Sequence, residues 1–248
     1  MVKLSKRMKA IANFVSPTKT IVDIGTDHGF LPIFLVETKV CQNAIAMDVN
    51  QGPLERAKVH ICECNLMDKI QTRRSDGLAQ LKQGEGQAMI IAGMGGPLMM
   101  RILREGVDVA RSMEEIVLQP QSELEEFRKF LCLEGYDIVD ETMVLEDGKY
   151  YNIWKVIPGL LKNEDDYWKL SAQVRRYGSL LIEHKNPIFI EALCKEEQVC
   201  KQIQNQLNGG LQNGRLQNGV LQLEKREIRL AQVKDKLLVI DATKRQMI

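Results

Sequence analysis

An α/β fold with a doubly wound, mostly parallel sheet, followed by a separate helical region, is what this 248-residue sequence predicts, on three observations. Short apolar runs alternate with helix-like segments, and alternating units of that length force a parallel sheet with helices on both faces. The ends of those runs are rich in glycine and acids, where sheets of this kind carry their ligands. Past Pro158 the alternation stops and long polar-apolar helical patterns begin.

The elements follow in order. An amphipathic helix over about residues 4–15 presents Leu4, Met8, Ile11, Ala12 and Val15 on one side. "TIVDI" is a short buried strand closing at Gly25, and "LPIFLVE" a helix with Pro32 in its first turn, where a missing N–H costs nothing. "NAIAMD" is the second strand, ending on Asp48, and the helix "GPLERAKVHICECNL" again opens on a proline. "KIQTRR" and "AMIIAG" read as strands three and four, then a helix over 97–106 and the strand "EIVLQ". A further helix is expected from Ser122, with Ser122 and Glu125 as its capping box. "YDIVDETMV" and "YYNIWKVI" follow without a helix between them, as a closing antiparallel pair does.

Two domains are expected, 1–159 and 160–248, the second built of helices near 164–177, 187–206 and 220–245. Between the last two helices, "LNGGLQNGRLQNGVLQL" repeats Leu-Gln-Asn-Gly, a composition that opposes helix, so a hairpin loop is expected near 208–219 with antiparallel helices flanking it, the alternative being a continuous helix with Leu207, Leu211, Leu216 and Leu221 on its apolar face. The net charge of +1 is unevenly spread: residues 1–159 carry 19 basic and 22 acidic groups, residues 160–248 carry 15 and 11. A second basic cluster, Lys3, Lys6, Arg7 and Lys9, precedes the first acid, Asp23. No apolar run reaches the ~20 residues of a membrane span, and the start lacks a secretory signal, so a cytoplasmic protein is expected. The six cysteines contain no C-x-x-C pair and read as reduced packing residues, with no metal site expected.

The stretch "DIGTDHGFLP" resembles a dinucleotide-binding turn but places Asp27 where that turn brings its backbone against a pyrophosphate. A carboxylate beside a phosphate costs on the order of several kcal/mol per close pair. NAD and FAD are disfavoured on that ground. S-adenosylmethionine (SAM) carries no phosphate but has a sulfonium and an ammonium, and suits an acidic turn. Asp48, at the end of the second strand, is positioned for ribose hydroxyls, a cap on the next helix being the alternative; Asp76-Gly77, after the third, for the adenine edge, a plain turn being the alternative; and Gly93 to Gly96, after the fourth, offer amides and open space, with core packing the plain alternative for Met94.

Those residues, with "LSKRM", "AMDVN", "SDGL", "AGMGG", "LQPQSE" and "RYG" in the same order, resemble the TrmK family, bacterial tRNA methyltransferases acting on N1 of adenine 22. The resemblance spans nearly the whole chain. It implies a class I SAM-dependent methyltransferase domain, Rossmann-like, followed by a helical, coiled-coil-like domain, with tRNA as partner; a monomer is expected apart from the resemblance. It implies cofactor contacts from Arg7, for the SAM carboxylate, and from Asp23, Gly25, Thr26 and Gly29 in the turn. Val49 beside Asp48, and Gly93 and Met94, complete that set. Gly29-Phe30 stands where the family often has Ala-Tyr, and Gln121 where it often has Asn.

Adenine N1 is a neutral nucleophile and its methylated product is cationic, so alignment and a nearby acceptor matter more than a strong base. Asp27 is the candidate acceptor, with His28 orienting it or contacting the base; a structural hydrogen bond within the turn is the competing reading for His28. His60 and His184 read as ordinary surface or core residues. Lys6, Arg73, Arg101 and Gln119 are candidate substrate contacts, the basic ones for phosphates. An enzyme of the same fold acting on a small molecule or protein, and a non-catalytic SAM-binding module, are the alternatives.

Overall fold

A computed structural model describes residues 2–209 and 220–247, which divide into two compact units, Met1–Leu170 and Ser171–Ile248. The first unit opens with α1 (Lys6–Asn13) and then alternates β1 (Thr18–Ile24), α2 (Phe30–Glu37), β2 (Cys41–Asp48), α3 (Gln51–Glu63) and β3 (Ile70–Arg74). It continues through β4 (Ala88–Met94), α4 (Gly96–Glu105), the short α5 (Val107–Ala110), β5 (Glu115–Pro120) and α6 (Leu124–Leu133). It ends with β6 (Tyr136–Glu146), β7 (Lys149–Pro158) and α7 (Glu164–Trp168). The strands form one sheet in the order β3-β2-β1-β4-β5-β7-β6, parallel as far as β5 and antiparallel beyond it. The doubly wound class is thus the observed one, closed by the expected antiparallel pair.

Successive strand residues feed opposite cores, as a period of two requires. Val22, Ile91 and Leu118 lie in one buried cluster, while their neighbours Ile21, Ile90 and Val117 lie in the other. A sheet covered on both faces needs continuous apolar strands, which is why "TIVDI" and "AMIIAG" show no alternation. α2 is apolar nearly all round and buries Leu31, Pro32, Ile33, Leu35 and Val36, the pattern of a helix wedged inside a core. Asp147 and Gly148, both at positive φ, make the two-residue turn that sets the β6–β7 register.

Several local expectations are corrected. α1 is shorter than 4–15, because the Ser5 hydroxyl caps it by accepting from the Met8 amide at 3.3 Å. Ser122 does not cap α6: Glu123 holds the N-cap position in a left-handed conformation, and the Ser122 hydroxyl accepts from the Gly96 amide at 3.3 Å instead. The single helix expected over 164–177 is two, α7 and α8 (Ala172–Tyr177), because Ser171 starts a new cap on the Val174 amide. α9 (Ser179–Glu183) follows Gly178, whose φ of 86° breaks the chain direction.

In the second unit α10 (Pro187–Gly209) and α11 (Val220–Met247) pack together, with ion pairs Glu196–Lys236 at 2.6 Å and Glu197–Lys244 at 2.7 Å. Val233, Ile240 and Met247 are buried at a spacing of seven, one stripe of α11. The Asn/Gly loop expected near 208–219 lies outside the described residues, except that α10 carries on through Asn208 and Gly209. All six cysteines are free, and burial above all pushes the Cys41 thiol up to about 12. Among the described residues no helix is long and apolar enough to cross a membrane, and no group of three or more His, Cys, Asp or Glu is placed to hold a metal.

Candidate active site

The turn after β1 is tied down on both sides. Gly25, at φ 80°, and Thr26 both donate their amides to the Met47 carbonyl of β2, at 2.8 and 2.9 Å. Gly29, at φ 70°, caps α2, and a side chain there would stand 3.1 Å from the Ala57 methyl of α3. Glycine there avoids both the strain of the left-handed backbone and that close approach. Asp23, at the end of β1, is 6% exposed. Burial raises its carboxyl to about 6, against the Thr26 hydroxyl and with the help of the nearby Asp48 charge.

Above this turn lies a cavity of about 330 Å³ at the carboxyl ends of β1 and β4. Its floor is Asp23 and the turn from Gly25 to Gly29; Phe30 and Leu31 of α2, and Ala92 and Gly93 of β4, form its sides. Met8, Ile11 and Arg7 of α1 cover it, and Gln121 closes the far wall. Arg7 is held from several directions. Its Nη1 donates to Gln119 Oε1 at 2.7 Å, its amide to Glu146 Oε1 at 2.9 Å, and its guanidinium lies 5.2 Å over the Tyr151 ring. Burial works against ionisation of Glu146, yet the Arg7 amide, the Ser5 hydroxyl and the Arg7 guanidinium hold its carboxyl below the usual range. The cavity therefore sets a fixed cation on its α1 side and carboxylates in its turn.

Asp27 and His28 both face the cavity. The Asp27 carboxylate is ion-paired with Arg56 of α3, and its second oxygen lies 3.3 Å from His28 Nε2. The His28 ring stacks on Phe30 with centroids 5.2 Å apart and planes at 10°. The His60 ring of α3 lies 4.7 Å from that of Phe30 and 5.6 Å from that of His28, and its Nδ1 lies 2.9 Å from the His28 carbonyl. A carbonyl only accepts, so that nitrogen carries the proton. Arg56, His60 and Glu146 were not legible as site residues, and no local motif marks them.

The other candidate residues sit further along the strand ends. Asp48 accepts from the Asn50 amide at 2.7 Å, and its carbonyl takes the Ser75 amide at 2.9 Å. Val49 is exposed, its carbonyl bound by Arg74 at 3.0 Å. Asp76 and Gly77 line a second cavity of about 250 Å³ with Ile102 and Glu105. Arg101 donates to both Asp76 oxygens, at 3.0 and 3.4 Å, and holds that carboxyl below its usual range. Met94 leans across the turn, its methyl 2.2 Å from where a Gly25 side chain would begin.

Two basic candidates are therefore already engaged. Arg101 is shared between Asp76 and Glu105, and Arg73 braces the 80–85 loop through Glu85 at 2.7 and 3.0 Å and the Gln80 carbonyl at 2.8 Å. Hydrogen bonding from Arg73, above all, brings the Glu85 carboxyl down to about 2. Lys6 is exposed on α1. Gln119 is wholly buried behind Arg7, and Gln121, not Gln119, reaches the cavity.

A sequence family described as a methyltransferase domain matches residues 4–154. The chain is 33% identical over 233 residues to the tRNA (adenine(22)-N(1))-methyltransferase of Bacillus subtilis (strain 168), covering 94% of this chain and 98% of that one. The crystal structure of the B. subtilis M1A22 tRNA methyltransferase TrmK superposes with a TM-score of 0.80 at 29% identity, covering 98% of this chain and 99% of the other. A candidate tRNA (m1A22) methyltransferase of Streptococcus pneumoniae, solved in complex with S-adenosyl-L-methionine, superposes with a TM-score of 0.79 at 32% identity over 97% and 99% of the two chains.

Proposed function

Since the chain belongs to the tRNA (adenine(22)-N(1))-methyltransferase family, we propose that it transfers a methyl group from S-adenosylmethionine to N1 of adenine 22 in tRNA. The observation that carries the cofactor is the acid-bearing turn facing a fixed guanidinium, Asp23 and Asp27 on one side and Arg7 on the other. That polarity fits an amino acid with an onium charge and repels a diphosphate. Arg7 would hold the carboxylate of SAM, Asp23 its ammonium, Asp48 the ribose and Asp76-Gly77 the adenine, with Gly25, Thr26, Gly29, Val49, Gly93 and Met94 shaping the groove. SAM supplies an electrophilic methyl group that needs no further activation.

The protein's own residues then supply alignment and charge. The Asp27 carboxylate accepts from the reacting edge of adenine as positive charge develops there, and His28 orients it. Lys6, on the exposed face of α1, and the basic surplus of residues 160–248 receive tRNA phosphates. The enzyme acts in the cytoplasm, where its substrate is.

Incubation with methyl-labelled SAM and unmodified tRNA, followed by mapping, tests the reading. One N1-methyl mark at adenine 22 is expected; label absent from tRNA would refute it.

The raised Asp23 carboxyl gives a pH test. Its folded value, about 6, lies above the ~3.8 of an unfolded aspartate, so in the empty protein it is neutral below pH 6. SAM affinity is expected to be full above that value and to fall about tenfold per pH unit below it. For the empty fold the sign is opposite: stability is present below the unfolded value and lost as pH rises through 6. Asp23→Asn should therefore flatten the affinity profile while stabilising the empty protein at pH 7.5 by up to about 3 kcal/mol. Calorimetric titration across pH 5–8, with thermal melts of the empty protein, reads both; a pH-independent parent affinity would remove Asp23 from the cofactor site.

A further inference from the structure

The helix α3 runs directly behind the turn that carries Asp27 and His28, close enough that a Gly29 side chain would meet the Ala57 Cβ at 3.1 Å and its Cα at 3.3 Å. On either side of Ala57 along that helix stand Arg56 and His60, four residues apart and so on one face. Arg56 takes one oxygen of Asp27. His60 donates Nδ1–H to the His28 carbonyl at 2.9 Å and packs its ring 4.7 Å from Phe30, on which His28 stacks.

We propose that Arg56 and His60 are positioning residues for methyl transfer, a clamp on α3 that holds Asp27 and His28 in the orientation from which they engage the target adenine. The inference rests on the proposed methylation of adenine N1. An aspartate on a turn, with its side chain 63% exposed, samples several rotamers. Anchoring one oxygen on Arg56 selects one rotamer and leaves the other oxygen, on the His28 side, to accept from the base. An exposed ion pair adds only about 0–1 kcal/mol to folding. Misplacing a reacting group by an ångström costs far more in rate, up to about 100-fold. The clamp therefore shows in turnover, not in stability.

Single-turnover methylation of tRNA, at saturating SAM and tRNA, reads the difference. Arg56→Gln and His60→Ala are expected to slow the step about tenfold or more, with SAM affinity, tRNA affinity and melting temperature close to the parent's. His60→Asn, which keeps an N–H near the same place, and Arg56→Lys, which keeps the charge, should recover part of the rate. In an Asp27→Asn background Arg56→Gln should cost little further, because the two act as one unit. Unchanged rates overturn the proposal, as does an equal loss with and without Asp27. So does a raised KM for tRNA at unchanged saturating rate with a weaker salt dependence, which would make Arg56 a phosphate contact. A parent that transfers no methyl to tRNA overturns the underlying function as well; an active parent with active variants overturns only the clamp.

Discussion

Glu141→Ala is expected to destabilise the first unit by about 3–5 kcal/mol, the range for breaking a buried ion pair from one side. Glu141 and Arg128 are 3% and 7% exposed and form an ion pair beneath the β5–β7–β6 half of the sheet. The same Glu141 oxygen accepts from Trp154 Nε1 at 2.7 Å, and the Arg128 guanidinium lies 4.4 Å over the Trp154 ring. Trp154 is fully buried on β7, between β5 and β6. Truncating Glu141 leaves a guanidinium desolvated and an indole N–H without its acceptor, two separate penalties. Glu141→Gln keeps one oxygen, able to accept from both Arg128 and Trp154 as the present one does, and loses the charge, so it should cost less. Replacing Arg128 and Glu141 together by Met and Leu should recover most of the loss. Urea unfolding monitored by tryptophan fluorescence measures all three; a loss under ~1 kcal/mol for Glu141→Ala would mean that water reaches the pair.

Asp27→Asn is expected to lower the saturated rate of tRNA methylation by about 100-fold, the usual cost of removing one preorganised group facing developing charge. Asparagine keeps the size of the side chain and an oxygen for Arg56, so the turn keeps its shape and only the negative charge goes. Affinity for SAM should fall by less than about tenfold, because Arg7 and the buried Asp23 are the proposed direct contacts of the cofactor and Asp27 adds only to the negative polarity of the turn. A parallel loss of SAM affinity would assign Asp27 to the cofactor instead. Equilibrium titration with SAM beside rapid-quench methylation separates the two.

The α/β order, the strand ends and the glycine turn were legible because each rests on residues close in sequence. Val22 and Ile91 lie where apolar runs without alternation place them, inside a sheet covered on both faces. What failed locally did so through tertiary competition. Ser122 has the spacing of a cap, but the Gly96 amide claims its hydroxyl. Gln119 and Gln121 are both at the end of β5, and sequence alone does not say which of them is shielded; Arg7 covers the first and leaves the second to the cavity. Arg73 and Arg101 are candidate phosphate contacts by sequence, and their ion pairs with Glu85 and Asp76 were not legible there because these partners meet them only in the folded chain. Arg56 and His60 belong to an amphipathic helix whose polar face looks like any other until the turn comes to rest on it.

Glu146, near the tip of the β6–β7 hairpin, takes the backbone amide of Arg7 from across 139 positions of chain. β7 also slots between β5 and β6 in space although it follows both in sequence. The wall that α1 contributes is therefore finished by nearly the last strand to leave the ribosome. Contacts of such separation form late, after most loop-closure entropy has been spent. A growing polypeptide thus lacks this brace on Arg7 until the β6–β7 hairpin has been made.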